Sequence, residues 1–95
     1  MVIKFEWDER KNTANQRSHR VSFEEARTVF SDENATEFYD PDHSEHEDRY
    51  LMLGISVKLR VLVVSYCYRK DHGMIRIISA RKANPKEEKQ YGGDT

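Results

Sequence analysis

The chain has 95 residues, with a hydrophobic fraction of 37% and a charged fraction of 35%. That is enough apolar material for one small core, too short a chain for two, and too apolar for a disordered polymer. The net charge of −1 argues against a strongly basic nucleic-acid binder, although residues 1–50 carry −6 and residues 51–95 carry +5.

VIKFEW (2–7) alternates, with Ile3, Phe5 and Trp7 on one side, and predicts a half-buried strand. Asp8 reads as an N-cap for a helix over 9–19, polar nearly all round and expected on the surface. Ser22 and Glu25 have capping-box spacing, Val21 can staple to Ala26, and Phe23, Ala26 and Phe30 recur at helical spacing, so a short amphipathic helix is predicted over 23–30. ATEFYD (35–40) suggests a short strand, and DPDHSEHED (40–48) an acidic loop opened by Asp-Pro.

RYLMLGIS (49–56) reads as a strand, followed by a tight link at 57–59. RVLVVSYCYR (60–69) is a nearly continuous apolar run, expected to be central and buried on both faces. The single cysteine, Cys67, lies within it and reads as a buried free thiol. KDHG (70–73) predicts a hairpin turn, MIRIISA (74–80) the last long strand, and Asn84-Pro85 the start of a final helix. The order implies an α+β fold: a small antiparallel sheet of four to five strands, β-α-α-β-β-β-β plus a short C-terminal helix, with the two N-terminal helices packed on one face. One domain over 1–95 is expected, with a frayed tail at 91–95. Without an N-terminal signal or a run of roughly eighteen apolar residues, a soluble cytoplasmic protein is expected.

Arg60, Arg69, Arg76, Arg81 and Lys82 fall at the ends or on one face of consecutive strands. Guanidinium forks match phosphate oxygens, so convergence of several would make an anion site; solvated strand-end residues are the plainer reading. His19, at the end of the first helix, reads either as a general acid or base or as an imidazole favoured there by the helix dipole. The His and carboxylate residues of 40–48 invite a metal reading, but their spacing matches neither a zinc site nor a calcium loop. A solvated acidic loop is favoured, with Glu47 a candidate base. Lys4, Glu6, Asn12 and Asn15 read as surface or capping residues. Tyr91 reads as core packing or as a contact to phosphate or base.

Taken together, FEWDERKNTANQRSHRVSFEEA (5–26), DHSEHEDRYLMLGIS (42–56), RVLVVSYCYR (60–69) and IRIISARKA (75–83) resemble the BrnT-type toxins of bacterial type II toxin–antitoxin modules. The resemblance implies a fold similar to RelE-type ribonucleases and a metal-independent enzyme, without cofactor, that cuts RNA and stops translation. It also implies a BrnA-like ribbon-helix-helix antitoxin that forms a hetero-oligomer with the chain and brings it to promoter DNA. On that basis Arg60, Arg76 and Arg81 are expected to steady a phosphorane, with His19 or Glu47 as the base. Arg69, Lys82 and Tyr91 are expected to hold the substrate. One departure is Leu59, where the family usually has Gly before the arginine. The competing reading is a non-catalytic module whose basic half docks an acidic partner or nucleic acid.

Overall fold

The computed structural model describes residues 3–92. Along the chain run β1 (Lys4–Glu6), α1 (Glu9–His19), α2 (Phe23–Thr28) continuing into a 3-10 turn, β2 (Thr36–Asp40), β3 (Arg49–Ile55), β4 (Val61–Arg69), β5 (Met74–Lys82) and α3 (Pro85–Tyr91). They form one five-stranded sheet in the order β1-β5-β4-β3-β2. β2 to β5 are an antiparallel meander, as the short links require. β1 departs from expectation: it is three residues long and pairs parallel to β5 at the edge, because α1 and α2 carry the chain across the sheet before β2 begins. Val2 lies outside the described residues.

One sheet face is covered. Val21, Phe23, Ala26 and Val29 pack against Leu62, Val64, Tyr66, Ile75, Ile77 and Ala80, all at most 2% exposed. Each large side chain buried here contributes about 1.5–3 kcal/mol. Phe5, Trp7 and Phe30 close the cluster through edge-to-face contacts with Phe30, Phe23 and Tyr66 respectively. Gly54 sits where β3 passes beneath the 3-10 turn; a Cβ there would lie 2.8 Å from Val29 and 2.9 Å from Ala35.

β5 contains the feature that sorts its side chains. Strict alternation would place Arg81 on the same face as Ile75 and Ile77, in the core. The register instead shifts between Ser65↔Ser79 and Tyr66↔Ile77, leaving Ile78 as an extra residue. This bulge puts Ile75, Ile77 and Ala80 on the covered face and Arg76, Ser79 and Arg81 on the other.

α1 has no apolar face because its inward contacts are polar. Asn12 and Asn15, expected at the surface, are 2% and 7% exposed. The Asn12 carbonyl accepts from the Phe23 N–H at 2.9 Å, and its amide donates to Glu9 and Glu24. Asn15 bonds to the backbone of Val21 and Ala80. In α2 the Ser22 side chain caps Glu25 N–H as anticipated, but the Glu25 carboxylate turns inward to Ser56 and Arg60 instead of completing the box.

The link after β3 is a tight turn closed by Ser56 N–H to Arg60 C=O at 2.9 Å. Leu59 has φ of 61° in it, the left-handed conformation that favours glycine and costs another residue about 1–2 kcal/mol. α3 opens with a full capping box between Asn84 and Glu87 and lies over the otherwise uncovered sheet face. There Glu87 and Gln90 with Phe38, Leu51, Leu53 and Val63 enclose about 180 Å³. The tail does not fray from 91: the Tyr91 hydroxyl donates to Asp32 at 2.6 Å, and Asp32 also accepts from Ile55 N–H. The rest of the expected tail, 93–95, lies outside the described residues. Among the described residues no helix is long and apolar enough to cross a membrane.

Candidate functional site

The uncovered part of the sheet, beyond the reach of α3, carries a band of charge. Register pairs run Glu6↔Arg76 and Arg76↔Cys67 across β1, β5 and β4, while Asp40↔Arg49 continues the band on β2 and β3. Arg69 is two residues beyond Cys67 on the same face, a diagonal neighbour of Arg76 at about 7–8 Å between Cα atoms.

Glu47, at the end of the acidic loop, folds over the middle of this band. Its carboxylate accepts from Arg49 Nε at 3.1 Å and pairs with Arg69 at 3.1 Å. Arg76 is held at 3.1 Å from Glu6. The arginine side chains are 28–44% exposed, so solvent and ligand both reach them.

These contacts set the ionisation. Partial burial would raise the Glu47 carboxyl, but the Cys67 thiol, the bond from Arg49 and the charges of Arg69 and Arg49 outweigh it, and its pKa lies below the ordinary value. Glu47 is therefore an anion at neutral pH. Burial and the adjacent Glu47 push the Cys67 thiol up, so it stays protonated and unreactive. Two guanidinium groups on a displaceable carboxylate, with Arg76 on the neighbouring strand, can hold a tetrahedral oxyanion in its place.

Of the residues singled out from the sequence, Arg69, Arg76 and Glu47 come together here. Arg81 shares the face but lies roughly 16 Å along β5 from Arg76, at about 3.3 Å per residue. It is clamped by Glu87 through bonds of 2.8 and 2.9 Å. The clamp depresses the Glu87 carboxyl to about 2.

Arg60 is not part of the cluster. It lies on the helix-covered side, where it pairs with Glu25, 3% exposed, and donates to the Arg20 carbonyl at 3.1 Å. Buried Glu25 needs a cation, and Arg60 supplies it. Lys82, one residue past Arg81, lines a separate cavity with Arg60 and Glu88. His19 is exposed at the end of α1 and bonds to none of the open-face arginines among the described residues. Tyr91 is engaged by Asp32, which pushes its phenol up to about 12. In the acidic loop, His43 binds Asp40 at 2.8 Å, and among the described residues no three His, Cys, Asp or Glu side chains group as metal ligands.

Sequence reasoning missed Arg49. Its signal was the alternation Arg49, Leu51, Leu53, which puts a cation on the face opposite Tyr50 and Met52.

Fold and site define a small α+β protein with a band of paired arginines and carboxylates across the open face of its sheet. The chain matches the family model described as ribonuclease toxin, BrnT, of type II toxin–antitoxin system over residues 7–87, and it belongs to that family. Among solved structures it is similar to the 1.1 Å crystal structure of the Brucella abortus ribonuclease toxin BrnT. The two are 22% identical, covering 87% of this chain and 99% of that one, with a TM-score of 0.66, a likeness of fold. No curated protein matches the chain.

Proposed function

We propose that this chain cuts RNA on the open face of its sheet by attack of a 2′-hydroxyl on the adjoining phosphorus, and so stops translation. The pairing of Glu47 with Arg49 and Arg69, with Arg76 diagonal to Arg69 on the next strand, carries the reading. An incoming phosphodiester competes with Glu47 for Arg49 and Arg69. Once it loses those cations, the Glu47 carboxylate becomes more basic and takes the 2′-hydroxyl proton.

The 2′-oxygen–phosphorus bond forms as the phosphorus–5′-oxygen bond breaks, giving a 2′,3′-cyclic phosphate and a 5′-hydroxyl. His46, which lines a cavity with Glu47 and Arg49, protonates the leaving oxygen. The arginines stabilise the charge gathering on the non-bridging oxygens, each by about 3 kcal/mol. No step calls on a metal ion.

A type II toxin is restrained by a protein antitoxin, and for this chain we take that partner to be a BrnA-like ribbon-helix-helix protein. It would assemble with the toxin and carry it to promoter DNA.

The test is a short RNA with one 2′-deoxy substitution at the cut position. Cleavage blocked only at that position, surviving EDTA and leaving a cyclic phosphate, supports the scheme. Cleavage indifferent to the 2′-hydroxyl sinks it. One observation favours the rival, non-catalytic reading: Arg49, Arg69, Arg76 and Arg81 are each already paired with a carboxylate of the same chain. RNA bound but never cut, with or without divalent ions, would decide for that reading.

A further inference from the structure

Where the acidic loop meets the β4–β5 turn, a cavity of about 170 Å³ opens at the rim of the sheet, lined by Glu47, Asp48, Tyr50, Tyr68 and His72. Tyr50 and Tyr68 stand on the helix-covered face, so the cavity meets the open-face arginine cluster only around the end of the strands, through Glu47, which lines it. Its chemistry differs from that of the cluster: aromatic faces and carboxylates, with no cation among the lining side chains. Tyr68 and His72 stack with ring centroids 4.6 Å apart and planes 29° from parallel, and Tyr50 meets Tyr68 edge-on at 5.3 Å.

The rings are fixed in place. The Tyr68 hydroxyl is held by Glu37, which also holds Tyr66. His72 is turned back over Tyr68 by Lys70, Asp71 and His72, consecutive residues with φ of 52°, 54° and 73° ahead of Gly73. Asp48 is exposed; the Tyr39 hydroxyl donates to its Oδ1 at 3.2 Å, and among the described residues no donor engages its Oδ2.

We propose that this cavity is a guanine-selecting subsite, in which the nucleobase next to the scissile phosphate extends the Tyr68–His72 stack and Asp48 reads its Watson–Crick edge. The inference rests on the cleavage reading above. The cavity offers phosphate no guanidinium or ammonium group and sets the Asp48 carboxylate against it, so the group that enters is a neutral ring. Stacking favours any base. A carboxylate favours one, because only guanine offers two adjacent donors, N1–H and the N2 amino group, to its two oxygens. Adenine and cytosine present a ring-nitrogen acceptor beside their single amino donor, and uracil flanks its N3–H with carbonyls.

The experiment measures binding of guanosine, inosine and adenosine 5′-monophosphates to the intact chain by NMR titration, alongside cleavage of RNAs carrying G, inosine or A at that position. Guanosine monophosphate should bind about tenfold or more tighter than the adenosine nucleotide, with inosine, which lacks the N2 amino group, between them. Asp48→Asn should erase the preference, and His72→Ala should weaken guanosine and adenosine binding alike. Equal binding of the guanosine and adenosine nucleotides, binding of neither, or a preference that survives Asp48→Asn overturns the subsite. Binding and cutting separate the two ideas. A guanine preference in a chain that cuts no RNA refutes the nuclease reading alone, and cleavage without base preference refutes the subsite alone.

Discussion

The side-chain amide of Asn15 does the work of a missing strand for Ala80. β1 pairs with β5 only as far as Glu6 and Arg76, so the outer edge of β5 beyond that point has no strand beside it. Asn15 Nδ2 donates to the Ala80 carbonyl at 2.8 Å, and its Oδ1 accepts from the Ala80 N–H at 3.1 Å. An amide carries the same donor and acceptor as a peptide unit, which makes Asn the side chain suited to this edge.

Asn15→Ala should therefore destabilise the fold by about 3 kcal/mol or more, since it strands three buried backbone groups, the Ala80 N–H and the carbonyls of Ala80 and Val21, at about 1–3 kcal/mol each. Asn15→Asp should be worse at neutral pH, because a carboxylate would face the carbonyls of Val21 and Ala80. Urea titration of both variants checks the order. Equal stability of Asn15→Ala and wild type would show that the edge needs no substitute.

Leu59→Gly should stabilise the chain by about 0.5–1 kcal/mol, the left-handed cost less the extra freedom of glycine when unfolded. Leu59 is 80% exposed, so little packing is lost. A fall in Tm would contradict the strain ascribed to this turn.

Arg60→Ala should cost about 3–5 kcal/mol, because it leaves Glu25 charged and buried. Adding Glu25→Leu should recover much of the loss, and the folded double variant should cut RNA like wild type. A large defect in cutting by that double variant would return Arg60 to the site.

Glu87 gives an acid limb to stability. Its carboxyl titrates near 4.5 when unfolded and at about 2 when folded, chiefly because of the Arg81 bonds. A depressed carboxyl contributes stability above its unfolded pKa and loses it as pH falls through the folded one. The contribution is thus full above pH 4.5 and fades toward pH 2, worth about 1 kcal/mol after solvent screening of the half-exposed arginine. Glu87→Gln should flatten that part of the stability–pH curve. An unchanged acid limb would mean that other carboxylates govern it.

Most elements were legible because their signals are local. Asp8, Ser22 and Asn84 cap the helices they announce, and the apolar run of β4 is central as its composition implied. The inward face of α1 was not legible: hydrophobic periodicity cannot report Asn12 and Asn15, whose burial is justified by backbone groups far away in sequence. The site was half legible for a similar reason. Arginine spacing marked Arg69 and Arg76, but the bulge at Ile78 and the buried Glu25 decide where Arg81 and Arg60 finish. Neither follows from counting residues along a strand.

The most direct test of the central claim is the single-turnover rate of RNA cleavage by Arg69→Ala and Arg76→Ala, with folding verified by circular dichroism. Each variant should cut about a hundredfold more slowly than wild type, the loss of one transition-state contact of about 3 kcal/mol. Wild-type rates in both would mean that the phosphate is not held at the open face.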